Sequence, residues 1–253
     1  MNTLTRLIKV AVIAFTIAGM AQNVWAASFS VAPVRVILDA QHRTERLAVK
    51  NESDSPLTLL IKAYRWTQVD GGRDSYDATA DLIIFPRVLT VAADEERFIR
   101  VGIANPAGPG EQAFRIYLEE QPGTNEKAQD GATGRILMRV GIPVFAQPLI
   151  PQSTLKITDI SMAQGLLHFT LTNKGNSFVM AEQITVNAFD AAGTGLFVRN
   201  MGGFYLLGGS NRVFEAEIPA EQCSRVAKIT VTTRHTGTEE QSILKPPFGA
   251  CTR

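Results

Sequence analysis

This chain is short of the side chains that most enzymatic and metal chemistry uses. Its 253 residues include three histidines (His42, His168, His235) and two cysteines (Cys223, Cys251). Each histidine stands alone in its segment, and no GxSxG, HExxH or CxxC pattern occurs. No glycine-rich loop opens onto a helical pattern. Glu119 and Glu120 are neighbouring carboxylates, but successive residues of a strand point to opposite faces, which does not favour a catalytic pair. There is thus no positive case for an enzyme, and neither a cofactor nor a metal is expected. Charge of either sign is also lacking in excess: 25 Lys+Arg stand against 24 Asp+Glu. Nucleic-acid binding needs clustered cations to offset phosphates, so nucleic acid is not an expected partner. Beyond the first segment no apolar run nears the ~20 residues that a spanning helix needs, which argues against membrane insertion.

What is present begins with a targeting pattern. Arg6 and Lys9 precede an apolar run from Val10 to Met20, and Val24-Trp25-Ala26 places small residues at −3 and −1 of a cleavage site. Residues 1–26 therefore read as a secretory signal. Removing them takes away Arg6 and Lys9 and leaves 23 basic against 24 acidic residues. In an oxidising compartment two cysteines usually pair, so a Cys223–Cys251 disulfide is expected, tying the C-terminal tail to an earlier segment.

From Ser28 onward, β-branched and aromatic runs recur between turn residues, the pattern of an all-β sandwich protein. The first, Phe29–Leu38, is kinked at Pro33. Leu57–Gln68 is long, with Trp66 read as core. The Gly-, Asp- and Ser-rich stretch Asp70–Ala80 reads as a loop, and Leu196–Leu207 as one strand. Pro148 and Pro151 interrupt strand register. This divides the mature chain into a domain at 27–148, a stiff hinge at 149–152 and a second domain at 153–253.

One segment breaks the pattern. In Gly134–Phe145, Ile136, Met138, Val140, Ile142 and Val144 share one parity, while Leu137 and Phe145 lie on the other with Arg139 between them. A strand with one face in water should alternate apolar and polar. This one has a spare apolar face and follows a polar loop, Pro122–Thr133. On the residues alone, ordinary packing within the first domain accounts for it equally well.

Several segments together carry a resemblance: Val31-Ala32-Pro33-Val34-Arg35 with an arginine in the first strand, Glu96-Arg97-Phe98-Ile99-Arg100, Phe114-Arg115-Ile116-Tyr117-Leu118-Glu119-Glu120, and the doubly apolar strand closing on Pro143-Val144-Phe145-Ala146-Gln147-Pro148. In order and spacing they resemble the PapD-like periplasmic chaperones of the chaperone–usher pathway. Pro143-Val144-Phe145, Trp66 and Asp81-Leu82-Ile83-Ile84-Phe85-Pro86 look more like the archaic branch. The resemblance implies two immunoglobulin-like β-sandwich domains in a boomerang, residence in the periplasm, and pilus subunits and an outer-membrane usher as partners.

It also implies a mechanism. The chaperone lends its apolar strand to an incomplete subunit by β-augmentation, with Ile136, Met138, Val140 and Ile142 as donor residues. The preceding loop would order on binding. Two basic residues in the interdomain cleft anchor the subunit's terminal carboxylate. Arg35 matches the first. Pro143 stands where the second, usually a lysine, is expected; Arg139 is a candidate in its place, and Arg100 and Arg115 are also within reach. An apolar edge of this kind is an aggregation hazard unless covered, which points to a self-capping oligomer in the free protein. The alternative from another class is a secreted two-domain structural or adhesive surface protein that buries the strand internally.

Overall fold

The computed structural model describes residues 29–105, 108–122 and 136–252. The signal segment 1–26 and most of the loop 122–133 lie outside these residues. The first sandwich is built from β1 (Phe29–Ala32), β2 (Val36–Leu38), β3 (Thr44–Asn51), β4 (Leu57–Val69), β5 (Arg73–Ala78), β6 (Leu82–Phe85), β7 (Val88–Val91), β8 (Glu96–Ile103), β9 (Gln112–Glu120) and β10 (Arg139–Ala146). One sheet has the order β1-β3-β8-β6; the other runs β2-β10-β9-β4-β5, with β7 also paired to β4. Leu47, Leu59, Ile61, Leu82, Ile99, Phe114, Ile116, Leu118 and Val144 fill the space between them, each at most 2% exposed.

The second sandwich follows from β11 (Leu155–Ala163), β12 (Leu166–Asn173), β13 (Val179–Ala181), β14 (Gln183–Phe189), β15 (Gly195–Met201), β16 (Phe204–Leu206), β17 (Asn211–Glu217), a short helix α1 (Ala220–Cys223), β18 (Lys228–His235) and β19 (Thr238–Leu244). Its sheets are β11-β12-β17, β13-β16 and β15-β14-β18-β19, packed around Leu167, Phe169, Leu171, Val186 and Val231. Cys223 at the end of α1 is bonded to Cys251, 28 residues on, which ties the tail to the second core. Among the described residues no helix is long and apolar enough to cross a membrane.

Three elements depart from the sequence reading. The kinked first segment is two strands in different sheets: β1 pairs with β3, the chain crosses at Pro33, and β2 pairs with β10. Arg73–Ala78 is a strand rather than a loop, antiparallel to the end of β4. It is polar because it lies at the sheet edge, and it escapes an apolar-periodicity test. The run Leu196–Leu207 breaks at Gly202-Gly203. A Cβ on Gly202 would lie 2.4 Å from the Glu182 carbonyl oxygen, and Gly203 has φ 76°.

The two sandwiches share a side-chain device. Asn51 and Asn173 are both fully buried at the ends of equivalent turns. The Asn51 amide donates to the carbonyls of Ser55, Val91 and Ala92, and its oxygen accepts from Ser53 N–H. The Asn173 amide donates to Ser177, Leu206 and Leu207, and its oxygen accepts from Gly175 N–H. Each ties three backbone carbonyls together at the end of its sandwich, those around Asn173 all buried and those around Asn51 partly so.

The junction between the sandwiches is built, not merely tethered. Phe145 on the outer face of its sheet stacks on Phe178 at 3.9 Å between centroids, and Trp66 and Tyr205 close around the pair. Trp66 is therefore buried in this junction rather than in the first sandwich's core. The Gln68 side chain bonds the second sandwich twice, donating to the Tyr205 carbonyl of β16 at 2.8 Å and accepting from the N–H of Leu207, just past that strand, at 2.9 Å. Gly72 lies so close to Arg212 that a Cβ there would meet its Cβ at 2.6 Å. Phe178 N–H donates to Glu111 Oε1 at 3.0 Å, while Glu111 Oε2 is buried without a partner. Burial pushes the Glu111 carboxyl up to about 8, partly opposed by the Phe178 hydrogen bond.

Replacing Asn173 by Ala takes a hydrogen bond from three buried carbonyls, one of which, that of Leu207, still accepts from Ser210 N–H, and is expected to lower unfolding stability by about 1–3 kcal/mol in urea titrations. A surface-like loss of a few tenths would refute its role as a plug. Glu111 is protonated in the folded state over a range where the unfolded chain has already lost the proton. Its contribution is therefore full below about pH 4.5 and declines as pH rises towards about 8. The slope from this one group approaches ~1.4 kcal/mol per pH unit. Glu111→Gln keeps an acceptor for Phe178 N–H and should flatten the decline in melting temperature over that range. An unchanged pH profile would show that Glu111 is ionised in the fold.

Candidate functional site at an open strand edge and the interdomain cleft

The site follows from the strand switch at Pro33. β10 is paired along its whole length with β9, from Arg139 opposite Glu119 to Ala146 opposite Gln112. The Met138 carbonyl extends this by accepting from Glu120 N–H at 3.0 Å. On its other side β10 is covered only at Val144, Phe145 and Ala146, by Val36, Ile37 and Leu38 of β2. From Arg139 to Pro143 that edge has no strand partner among the described residues.

The side chains sort by parity. Met138 and Val140 are half-buried and pack against the rim of the first core, and Ile136 is 85% exposed ahead of the strand. These three line the open edge. Ile142 does not belong with them: it is 2% exposed within the chain's own core. The donor set read from the sequence is thus shortened by one, because Ile142 is packed between the two sheets of the first sandwich. The strand also begins later than the sequence reading placed it, at Arg139.

The odd-parity residues face outward, towards the cleft. Pro143 is opposite Arg115 of β9. On the β2 side the parallel register sets Val144 beside Val36, so one step back Arg35 lies beside Pro143. Arg35, Pro143 and Arg115 thus form one row across three strands on one face, with the arginine backbones about 10 Å apart at ordinary strand spacing. The Arg35 guanidinium sits 5.6 Å from the Phe178 ring centre, at a cavity of about 530 Å³ lined also by Gln147, Ser177, Met180 and Glu182. The Arg115 guanidinium lies 4.3 Å over Trp66, and its Nε is buried with no hydrogen-bond partner. The row therefore presents two cations with no carboxylate between them.

Arg139 is differently engaged. Its Nε is 3.0 Å from Glu119 Oε1 and its guanidinium lies 3.8 Å over Tyr117. Glu119 also holds Lys62 at 2.6 Å, and that hydrogen bond raises the lysine's pKa. Arg139 is held four residues up the strand from Pro143, in a pair that already satisfies its charge. Arg100 lies on β8, in the opposite sheet. Arg115 could be weighed from sequence but not chosen, because choosing it needs the β9–β10 register. Among the described residues no group of three His, Cys, Asp or Glu is placed to hold a metal.

The geometry also sets a direction. β10 runs towards the cleft and β2 runs parallel to it. A chain end anchored at Arg35 and lying along the open edge would likewise run parallel to β10. From residue 143 back to 136 that edge spans roughly 23 Å at about 3.3 Å per residue.

Residues 28–150 match the family model of the N-terminal domain of PapD, a pili and flagellar-assembly chaperone. No curated protein sequence matches the chain. Among solved structures it is similar to a chain of the CsuC–CsuE chaperone–tip adhesion subunit pre-assembly complex from the archaic chaperone–usher Csu pili of Acinetobacter baumannii. The identity is 19% and the TM-score 0.59, over 87% of this chain and 100% of that one. The Salmonella enterica complex of SafA pilin with the SafB chaperone has a chain 12% identical, with TM-score 0.57, over 87% of this chain and 98% of its own length. The CupB2 chaperone of Pseudomonas aeruginosa is 15% identical, with TM-score 0.54, over 86% of this chain and 100% of its own. At these identities the likeness is one of fold, and it spans both sandwiches. The N-terminal sandwich, residues 28–150, thus belongs to the family of the PapD N-terminal domain of pili and flagellar-assembly chaperones.

Proposed function

We propose that this protein is a periplasmic chaperone that captures pilus subunits by lending them the edge of β10 and delivers them to an outer-membrane usher. The observation that carries the reading is the half-covered edge of β10, which ends at an unneutralised pair of arginines. A subunit's C-terminal strand would lie parallel to β10 and take backbone hydrogen bonds from Arg139 to Gly141, while Ile136, Met138 and Val140 fill its apolar groove. Its carboxylate would sit between Arg35 and Arg115, where a guanidinium can bond both oxygens and little water competes. Arg115 takes the second anchoring place in this proposal, and Arg139 serves to brace the edge through Glu119. Pro143 suits this arrangement: it carries no charge, and its missing N–H costs nothing on an edge that β2 has not yet covered. The export pattern at 1–26 supports periplasmic residence, and the family match and the neighbouring chaperone–subunit complexes support the partner class.

The test is co-expression of the mature protein with an exported, β-rich subunit encoded beside its gene. A soluble one-to-one complex is expected. Met138→Asp should abolish it by placing a charge in an apolar groove. Arg35→Ala and Arg115→Ala should each weaken capture by roughly 2–5 kcal/mol, because each leaves a desolvated carboxylate short of a partner. Arg139→Ala should cost far less. If Met138→Asp and Arg35→Ala both leave the complex intact, the strand-lending mechanism is wrong; if only Arg115→Ala is silent, the second anchor lies elsewhere.

A further inference from the structure

The junction between the sandwiches holds an acid that subunit capture does not use. Glu111, at the approach to β9, meets the second sandwich twice. Its backbone N–H donates to the Asn176 carbonyl at 2.9 Å, and its Oε1 accepts from Phe178 N–H at 3.0 Å. Asn176 is itself a crossing point. Its amide donates to the carbonyls of Pro109 at 3.0 Å and Ile150 at 3.2 Å, and its oxygen accepts from Gln152 N–H at 2.7 Å. One turn of the second sandwich is thus bonded both to the first sandwich and to the hinge. A cavity of about 370 Å³ lies beside these bonds, lined by Pro109, Pro148, Leu149 and Ile150, so the seam is unfilled on this flank.

Glu111 Oε2 is buried with no hydrogen-bond partner, and among the described residues no cation lies within ion-pair distance of the carboxyl. The segments packed around it supply few charges. Residues 104–110 and the hinge 147–153 contain no titratable side chain. The turn before β13 carries Lys174. Around β13 stand Arg35 over the Phe178 ring, Glu182, and the Tyr205 phenol of β16. On its own strand, Arg115 is held over Trp66. An ionised carboxylate here is desolvated with no counter-charge, whereas a neutral one fits. Closing the junction raises the carboxyl to about 8, against 4.5 when it is exposed. Between those limits opening releases a proton, so the closed form is favoured at low pH and loses ground as pH rises. Each unit shifts the balance by up to about tenfold.

The strain of ionisation would reach the cleft through Phe178. Glu111 bonds its backbone, while its ring stacks on Phe145 and lies beneath the Arg35 guanidinium. We propose that Glu111 is a proton-operated latch: protonated, it holds the sandwiches closed with the Arg35–Arg115 row set for a terminal carboxylate; ionised, it loosens the junction and weakens capture. The consequence for capture rests on the function proposed above; the motion of the junction does not.

The experiment reads the two separately. In protein beginning at Ala27, Trp66 is the single tryptophan, and it lies in the junction. Its emission is followed from about pH 5.5 to about 8.5 in the parent and in Glu111→Gln and Glu111→Leu, neither of which can ionise. A transition is expected in the parent and in neither variant. A synthetic peptide of the C-terminal strand of the subunit encoded beside the gene, with a free carboxylate, is then titrated in by calorimetry. The peptide's terminal carboxylate and the two arginines keep their charges over this range, so the anchor itself adds no pH dependence. Affinity should follow the closed fraction, falling by about tenfold across the range in the parent and staying level in both variants. The latch is overturned if the parent's emission matches the variants' at every pH, or if emission changes while affinity does not. A transition that persists in both variants also overturns it and assigns the titration to another group, such as His235, whose neighbour Thr236 lines the cleft cavity. Peptide binding at no pH by any form would sink the capture reading instead, and the Trp66 transition would then decide the latch alone.

Discussion

The structure turns on the length of β2. A β-sandwich closes when both edges of each sheet are paired, covered or blunted. Here the first strand is divided between two sheets by Pro33, and its second half reaches only Val144 to Ala146 of β10. Had β2 run a few residues longer, the edge from Arg139 to Pro143 would be paired and Val140 would join the sealed core. The shortfall leaves the first core open along one seam, with Met138 and Val140 at its lip and Ile136 beyond it. Both the proposed donor strand and the position of Arg35 follow from it. Arg35 is the last residue before β2 begins to cover the edge, so any strand occupying the seam must end there.

A seam is useful for capture only if its end is fixed. The junction between the sandwiches provides this, because its groups come from both sides. Phe145 follows Pro143 by two residues and stacks on Phe178, the ring beneath the Arg35 guanidinium. Trp66 lies under Arg115 and within the same aromatic cluster. The cations of the cleft are thus seated on rings that the junction holds in place. Gln68 and Glu111 add polar bonds at its two flanks. Pre-organisation of this kind lowers the ordering cost that association must offset. Closure of the junction also buries Glu111, and that burial, with one carboxyl oxygen left without a partner, is what raises its pKa to about 8.

The all-β class and the anomalous strand were legible because apolar periodicity reports burial directly. β4 matches its sequence reading to within one residue, with Leu57, Leu59 and Ile61 alternating inward. What was illegible has a common cause. The edge strand β5 buries too little to leave a pattern. The break at Gly202-Gly203 is set by the approach of the Glu182 carbonyl, a contact remote from the strand that it interrupts. Ile142 and Val140 have the same parity and similar chemistry, and only their depth along the sandwich separates a core residue from one at the lip. The same holds for the cations. Arg139 lies on the strand of interest and Arg115 does not, yet register brings Arg115 beside Pro143 and Glu119 holds Arg139 away from it. Parity can be read along one strand; neighbours across strands need the register.

The charge distribution of the first sandwich sharpens that point. Several cations that brace the first sandwich meet a carboxylate, Glu119 for Lys62 and Arg139, Asp81 for Arg65, Glu95 for Arg97, while Arg43 donates to the Ile103 and Ala104 carbonyls. Such exposed pairs contribute little stability each, but they leave no field pointing outward. Arg35 with Arg115, and Arg46 with Arg100, lack such a partner. Each pair sits beside aromatic rings, which lower the cost of packing a guanidinium without cancelling its charge. An unneutralised pair costs stability in the free protein and recovers it only when an anion arrives, which is the condition for a recognition site rather than a structural one. The two pairs lie on opposite sheets of one sandwich. Of the two, Arg35 with Arg115 stands at the end of the open seam, which is where the proposed capture of a subunit needs to place an anion.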